Sequence, residues 1–270
     1  MKGIIWTSFA VAALGLGTLA VVAQGQGKVV QGQEGLLFGA KTSSWAKLDA
    51  KGTVQEAGVT IPLSGIEQAP LPAAGAKPPS AGPMMMMPTL SLNFPEVVKQ
   101  TTFLDHMELY WEQFGHPPER YLTPHFDFHF FGVPEAQVRA VDCKNLTPPA
   151  MELTPQGYAP AVPPGANAAE FCVPMMGFHG LPMSEFSGPG QFKPGLFDKV
   201  MIAGFYGGKY TFTEPMITRE FLLTKQNFSF AVPRPEKVGR KTLYPKTFTA
   251  TFDAKANAYN FVYSNFEAGQ

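Results

Sequence analysis

The sequence predicts a mainly β fold, an antiparallel sheet of barrel or sandwich type, with one principal α-helix near residues 94–114. Its 270 residues include 23 Phe, 27 Gly and 26 Pro, a mixture typical of short strands joined by ordered turns. Several segments also alternate aromatic and polar residues, which gives a strand one face of each kind. Apolar residues make up 45% of the chain, enough for a substantial core.

The predicted helix depends on a capping residue and on apolar spacing. Asn93 suits the position before a helix, and Pro95 suits its first turn. The apolar residues that then recur with helical periodicity are Val97, Leu104, Met107, Trp111 and Phe114. On such a helix Glu108 would lie on the apolar stripe, and His106 would point to a different side.

Residues 1–23 have the pattern of a secretory signal peptide. Lys2 precedes an uncharged stretch over residues 4–22, and Val21 and Ala23 are the small residues expected before a cleavage site. Cleavage after Ala23 predicts export to the periplasm or the extracellular space. An uncleaved anchor is the alternative, since about 19 apolar residues can just span a bilayer. The rest of the chain predicts no stable membrane insertion.

Composition and turn residues divide the remaining chain into four segments. Residues 24–35 are predicted to be a flexible N-terminus, and residues 36–62 a β-hairpin with its turn at residues 49–52. Residues 63–88 form a Pro/Met-rich linker, and residues 89–270 a β-rich main domain. The methionine run near the end of the linker suggests a copper(I) site because thioethers are soft ligands, although flexible apolar filler is the alternative.

The segment Pro124–Phe131 alternates without interruption. In a β-strand, every second side chain lies on the same face. One face would carry His125, Asp127 and His129, and the other would carry Phe126, Phe128 and Phe130. The aromatic face can anchor the strand in a core, which leaves two imidazoles and a carboxylate on a rigid element.

All five histidines fall within residues 106–179. Neutral imidazoles completed by a carboxylate are common ligands of zinc and copper. The residues predicted for a divalent metal site are His125, Asp127, His129, His179, His116 and Glu108. The alternative is that these imidazoles make structural hydrogen bonds. No catalytic residue is predicted.

Strand geometry limits how such a site can be built. On an ideal strand His125 and His129 are about 13 Å apart. One ion with Zn–N bonds of about 2.0–2.1 Å cannot join them without a bulge or a strong twist. Without that distortion, Asp127 and one of the two histidines share an ion, and His179 or His116 completes the site.

The only two cysteines of the chain are Cys143 and Cys172. An oxidising compartment favours joining them in a disulfide. Two free thiols, or two thiolate ligands, remain the alternatives from the sequence alone.

Charge and motifs exclude several classes of function. The formal net charge is zero, and no basic run suggests binding to nucleic acid. The chain has no Gly-x-Ser-x-Gly elbow, no phosphate-binding loop and no dinucleotide-binding glycine pattern.

Four sequence blocks resemble a family of exported bacterial proteins that includes a member controlled by a sigma-E/anti-sigma-E system in Thermus. The blocks are Gly115–Pro118, Pro124–Phe130, Pro174–His179 and Glu214–Thr218. The resemblance implies a β-rich domain, export and homo-oligomers that can close into a ring. It also implies a stress-linked envelope role by association, and it supplies no reaction and no catalytic residues.

Two functional hypotheses follow from the sequence. The first is an exported, self-assembling envelope or secreted protein, favoured because charged residues make up only 16% of the chain. The second is a metal-dependent enzyme or metal carrier that uses the cluster of His125, Asp127, His129 and His179.

Overall fold

Two antiparallel β-sheets are the main secondary structure of the protein, in a computed structural model that describes residues 27–77 and 87–269. The six-stranded sheet contains, in spatial order, β1 (Lys28–Leu37), β2 (Ala40–Leu48), β3 (Val54–Pro62), β15 (Ala258–Gly269), β14 (Thr242–Asp253) and β13 (Phe228–Ala231). The seven-stranded sheet contains β4 (Leu90–Asn93), β5 (His106–Glu112), β6 (His125–Phe131), β12 (Lys209–Thr218), β11 (Lys199–Tyr206), β8 (Gly177–Gly180) and β7 (Cys172–Val173). Strands β9 (Phe186–Gly188) and β10 (Gln191–Phe192) form a separate ribbon. The predicted mainly β, antiparallel class is confirmed.

The helices are short and lie at the ends of strands. They are α1 (Leu63–Glu67), α2 (Glu96–Thr101), α3 (Glu135–Arg139) and α4 (Arg219–Leu223). Across residues 27–77 and 87–269, no helix has both the length and the apolar character that crossing a membrane requires.

The two sheets pack face to face, and the core lies between them. The aromatic face of β6 contacts the other sheet directly, since the Phe128 ring lies 4.6 Å from that of Phe261. The Phe130 ring lies 4.8 Å from that of Tyr263. All four side chains are buried. The alternation of residues 124–131 therefore gives the predicted aromatic core face, and it turns the histidines to the opposite side of the sheet.

The N-terminal strands belong to the same sheet as the C-terminus. Strand β3 pairs with β15, so the segment 36–62 is not a separate hairpin unit. Residues 28–35, predicted to be flexible, lie in β1, and a tight turn at Phe38 and Gly39 interrupts the predicted first strand. The turn at residues 49–52 is present, where the Asp49 carboxylate accepts hydrogen bonds from the backbone of Lys51 and Thr53.

Part of the predicted linker is ordered and packed. Residues 63–67 form α1, whose Leu63 and Ile66 side chains are buried. The signal-peptide prediction for residues 1–23 and most of the methionine run fall outside the described residues.

The prediction of a principal helix near residues 94–114 was wrong. Only α2 is helical there, and residues 106–112 form β5, a strand between β4 and β6. The same residues also alternate, because Met107, Leu109 and Trp111 share one face of the strand. Strand pairing on both sides outweighed the helical periodicity, since each partner satisfies a full row of backbone groups.

Long loops between α3 and β11 cross the polar face of the seven-stranded sheet. The structure joins Cys143 and Cys172 in a disulfide within these loops, with Cα atoms 5.8 Å apart. Closing a loop of this length stabilises the fold by roughly 3.5 kcal/mol in the chain-entropy account. The loops are thus tethered above the histidine face of β6.

Candidate metal centre

The register of three strands assembles a row of titratable side chains on the polar face of the seven-stranded sheet. Strand β6 pairs with β5 so that His125 lies opposite Glu112 and His129 lies opposite Glu108. On the other side β12 pairs Asp127 with Met216, and the same register puts Glu214 beside His129. Directly opposed residues share a face, so carboxylates from β5 and β12 flank the histidines of β6.

A cavity of about 570 Å³ lies between this face and the loops that cover it. Its titratable lining residues are His116, Asp127, His129, Glu170, His179 and Glu214. Its other lining residues are Pro117, Pro118, Tyr121, Ala161, Phe171, Val173, Met176, Leu181, Phe192, Ile202 and Met216. The volume is within the range of about 300–1,000 Å³ typical of small-molecule sites.

One group of ligand atoms, the first cluster, consists of His116, His125 and Asp127. Nδ1 of His125 donates to the carbonyl of Thr123 at 2.6 Å, and Nδ1 of His116 donates to the carbonyl of Pro117 at 2.9 Å. A carbonyl can only accept, so Nε2 of each neutral ring carries a free lone pair. Metal-binding histidines are oriented in this way by a partner on the second nitrogen.

The distances within the first cluster match those around a tetrahedral ion. Nε2 of His125 lies 3.1 Å from Oδ1 of Asp127, and Nε2 of His116 lies 3.6 Å from Oδ2. Ligand atoms about 2.0–2.1 Å from a tetrahedral zinc are about 3.3–3.4 Å from each other. One ligand atom from each of the three side chains lies within 4.8 Å of the others, close enough for the three to be candidate ligands of one small divalent ion.

Without a metal ion, protonation of His116 can balance the negative charge of Asp127 in the first cluster. Burial opposes the imidazolium form, but the adjacent Asp127 carboxylate outweighs it and raises the pKa of His116 to about 9. Burial alone would raise the pKa of Asp127, whereas the charges of His125 and His116 hold it well below its usual value. A proton and a metal ion thus compete for the same position.

A second cluster consists of His129, His179 and Glu214. Oε2 of Glu214 lies 3.6 Å from Nε2 of His129 and 3.7 Å from Nε2 of His179. The two imidazole rings meet at right angles with their centroids 5.9 Å apart. These three side chains come from β6, β8 and β12, so the second cluster also depends on long-range pairing.

Burial disfavours the charged forms of all three side chains in the second cluster. It lowers the pKa of His129 to about 4 and that of His179 to about 3, with the neighbouring imidazole of His129 adding to the shift of His179. It raises the pKa of Glu214 well above its usual value, and the charges of Asp127 and Glu112 add to this. Neutral imidazoles are the form that binds metals.

Several buried polar atoms of both clusters find no hydrogen-bond partner among the described residues. They are Nε2 of His125, Oδ1 of Asp127, both ring nitrogens of His129 and Oε2 of Glu214. A buried polar atom without a partner costs about 1–3 kcal/mol. Such a concentration in one place marks this face of the sheet as the candidate site.

The structure separates the predicted metal-site residues into three places. His125 joins Asp127 and His116, whereas His129 joins His179, the division that the strand spacing required in the absence of a bulge. Glu108 does not line the cavity, although the sequence placed it there; it bonds to Arg139 and Tyr110 instead.

Two acidic residues of the polar face were missed as site residues. Glu214 and Glu112 are buried on β12 and β5, and burial raises the pKa of Glu112 to about 7, with the charge of Asp127 adding to the effect. Glu214 follows Tyr210 and Phe212 at alternate positions of a buried strand. A carboxylate is costly to bury among aromatic side chains, so its presence in this series was the feature of the sequence that could have identified Glu214 as a site residue.

A family model described as "TTHB210-like: Hypothetical protein TTHB210" matches residues 49–111. No curated protein and no solved structure matches the chain. The matched segment extends from the β2–β3 turn into β5, so it contains Glu108 but none of the residues that line the cavity. The likeness is therefore to a hypothetical protein, and the description gives no activity.

Proposed function

We propose that this protein binds a divalent transition-metal ion, zinc or copper, in the histidine-lined cavity, at the first cluster. The observation that carries the proposal is the convergence of two imidazole Nε2 atoms on one buried carboxylate. Backbone carbonyls fix both rings in the tautomer that a metal requires. The second cluster offers a further set of three ligands in the same cavity.

The ligand set supports an ion with an open position. Three protein ligands leave a fourth position of a tetrahedral ion vacant, as in catalytic rather than structural zinc sites. His116 and Asp127 both line the cavity, so the vacant position would face it. This arrangement fits a metal-dependent enzyme or a metal carrier, the second of the two hypotheses drawn from the sequence.

Metal titration of wild type and two variants tests the proposal. We expect wild-type protein to bind zinc, and His125→Ala to lose at least tenfold in affinity, since that change removes a ligand. His106→Gln is the matched control, because His106 is a buried histidine outside the cavity that contacts Asp105. Isothermal titration calorimetry measures the affinity. Equal binding by wild type, His125→Ala and His106→Gln would contradict the proposal.

The second cluster is tested by stoichiometry in the same experiment. His179→Ala leaves the first cluster intact, so we expect one zinc per chain in that variant. A wild-type value of two would assign an ion to each cluster, whereas a value of one that survives His179→Ala would restrict binding to the first. Loss of all binding in His179→Ala would refute the assignment to the first cluster.

Export and self-assembly are also proposed, on separate support. The uncharged N-terminal stretch supports export, and the exposed apolar residues of the edge strand β1 support pairing with a second copy of the chain. Val29 is 53% exposed and Leu36 is 65% exposed on that strand. Size-exclusion chromatography with light scattering is the test, with a larger mass expected for wild type than for Leu36→Lys. A wild-type monomer at all concentrations would contradict assembly.

A further inference from the structure

We propose that the cavity binds a small molecule with an apolar body and a single carboxylate head, and that the head completes the coordination of the ion at the first cluster. The inference depends on the metal binding proposed above and adds the chemical class of the ligand. It follows from three features of the cavity: its walls, its size and its distribution of charge.

The walls opposite the titratable residues are apolar. They include Phe171 and Leu181 from the covering loops and Phe192 from β10. The polar end of one further wall residue is occupied elsewhere, since the Tyr121 hydroxyl donates to Oε2 of Glu185 at 3.1 Å. A ligand with many hydroxyl groups would leave most of them without partners against such walls. The bulk of the ligand should therefore be apolar.

The size of the cavity limits the ligand to a small molecule. A volume of about 570 Å³ is in the middle of the range for small-molecule sites and is too small for a folded partner. The loops above it are tethered by the Cys143–Cys172 disulfide. His116 at the rim is 37% exposed, which indicates where solvent reaches the site.

The charge distribution places the carboxylate head on the ion. The cavity lining, all of it within the described part of the chain, includes no lysine and no arginine. Asp127, Glu170 and Glu214 contribute carboxyl groups instead, and the imidazolium that His116 forms without metal is already paired with Asp127. A bound divalent ion is therefore the strongest attraction that the cavity can offer to an anion. The vacant position on that ion is then the place where a carboxylate oxygen can bind. An apolar carboxylic acid thus matches both parts of the cavity: its carboxylate binds the ion, and its hydrocarbon body contacts the apolar walls.

Titration of the cobalt-loaded protein with a series of straight-chain carboxylates tests the inference. The probes are sodium acetate, butanoate, hexanoate and octanoate, and the readout is the visible absorption of Co²⁺, which changes when its coordination changes. We expect the affinity to rise by roughly two- to fourfold for each added methylene group, as burial in an apolar cavity predicts. The same series, measured by isothermal titration calorimetry on metal-free protein, should bind at least tenfold more weakly.

A cavity-filling variant separates this inference from metal binding itself. Ala161 is a buried lining residue on a loop, so Ala161→Phe should occupy the space of the ligand while all three ligands of the first cluster remain. We expect this variant to bind Co²⁺ with the affinity of wild type. Its affinity for the carboxylates should no longer rise with the length of their hydrocarbon chain. Ala150→Phe, at an exposed position that does not line the cavity, is the matched control and should behave as wild type.

The possible failures can be told apart. If the protein binds cobalt but the cobalt-loaded form has the same affinity for acetate as for octanoate, this inference is overturned and the proposed metal site is unaffected. Chain-length dependence that persists unchanged in Ala161→Phe would overturn it as well, because the acids would then bind elsewhere. A protein that takes up no cobalt would refute both proposals, and the metal titration shows this before any carboxylate is added.

Discussion

Two buried glutamates lie on the same face of the seven-stranded sheet, on either side of His129, and their surroundings differ. Glu108 on β5 accepts a hydrogen bond from the Tyr110 hydroxyl at 2.6 Å and is paired with the Arg139 guanidinium. Glu214 on β12 faces two imidazoles, and its Oε2 atom finds no hydrogen-bond partner among the described residues. Both side chains are almost fully buried.

The pKa shifts of the two glutamates have opposite directions. Burial alone would raise the pKa of Glu108, but the nearby His106 imidazole, the hydrogen bond from Tyr110 and the charge of Arg139 hold it below its usual value. The pKa of Glu214 is raised well above the usual value by burial and by the negative charges of Asp127 and Glu112. The comparison indicates that Glu108 is satisfied within the fold, whereas Glu214 fits the ligand site proposed above.

The largest effect is expected from removing the partner of Glu108. Arg139→Met leaves a buried carboxylate without its counter-charge, which should lower the free energy of unfolding by about 3 kcal/mol. This is the lower end of the range for buried pairs, because Arg139 is itself 28% exposed. Urea denaturation measures the change.

The control for this variant restores neutrality at the same place. Adding Glu108→Gln to Arg139→Met should recover part of the lost stability, since an amide costs less to bury than a charge. No recovery would show that Arg139 acts through its packing rather than through the ion pair.

A smaller effect is expected from the hydrogen bond of Tyr110. Tyr110→Phe removes a charge-assisted donor to Glu108 and should cost about 2 kcal/mol in unfolding free energy. Tyr121→Phe offers a comparison on the cavity side, where the lost hydrogen bond to Glu185 is longer, 3.1 Å rather than 2.6 Å. A smaller loss there is expected; equal losses would remove the distinction between the two surroundings.

Sequence patterns predicted the local features of this sheet and missed those made by distant residues. The alternation over residues 124–131 was sufficient to place three aromatic residues in the core and two histidines on the other face. The neighbouring sequence does not indicate that His116 contacts Asp127, or that Glu214 lies beside His129, because both contacts depend on how the chain is arranged around the sheet. The helix near residues 94–114 failed for the same reason, since pairing with two neighbouring strands decided the conformation of residues 106–112.

A pH-dependent effect on stability is expected from Glu214 in metal-free protein. Its pKa is raised on folding, so it costs nothing below its unfolded pKa of about 4.5 and costs more as the pH rises towards its folded pKa. Glu214→Gln keeps the neutral form at every pH. The variant should therefore gain stability relative to wild type by at most about 1.4 kcal/mol per pH unit above that point.

Thermal or urea unfolding of wild type and Glu214→Gln from pH 5 to pH 8 measures this difference. Subtracting the two curves cancels the contributions of His129 and His179, which both proteins share. A variant that is less stable than wild type at all these pH values would show that Glu214 is satisfied within the fold, as Glu108 is.

The location of a bound ion tests the central claim most directly. Anomalous diffraction at the zinc absorption edge, from crystals grown with zinc and from crystals treated with a chelator, gives that location without reference to activity. We predict a peak about 2.0–2.2 Å from Nε2 of His116, Nε2 of His125 and a carboxylate oxygen of Asp127, absent after chelation. Zinc peaks confined to the protein surface, with the cavity free of anomalous signal, would contradict the account.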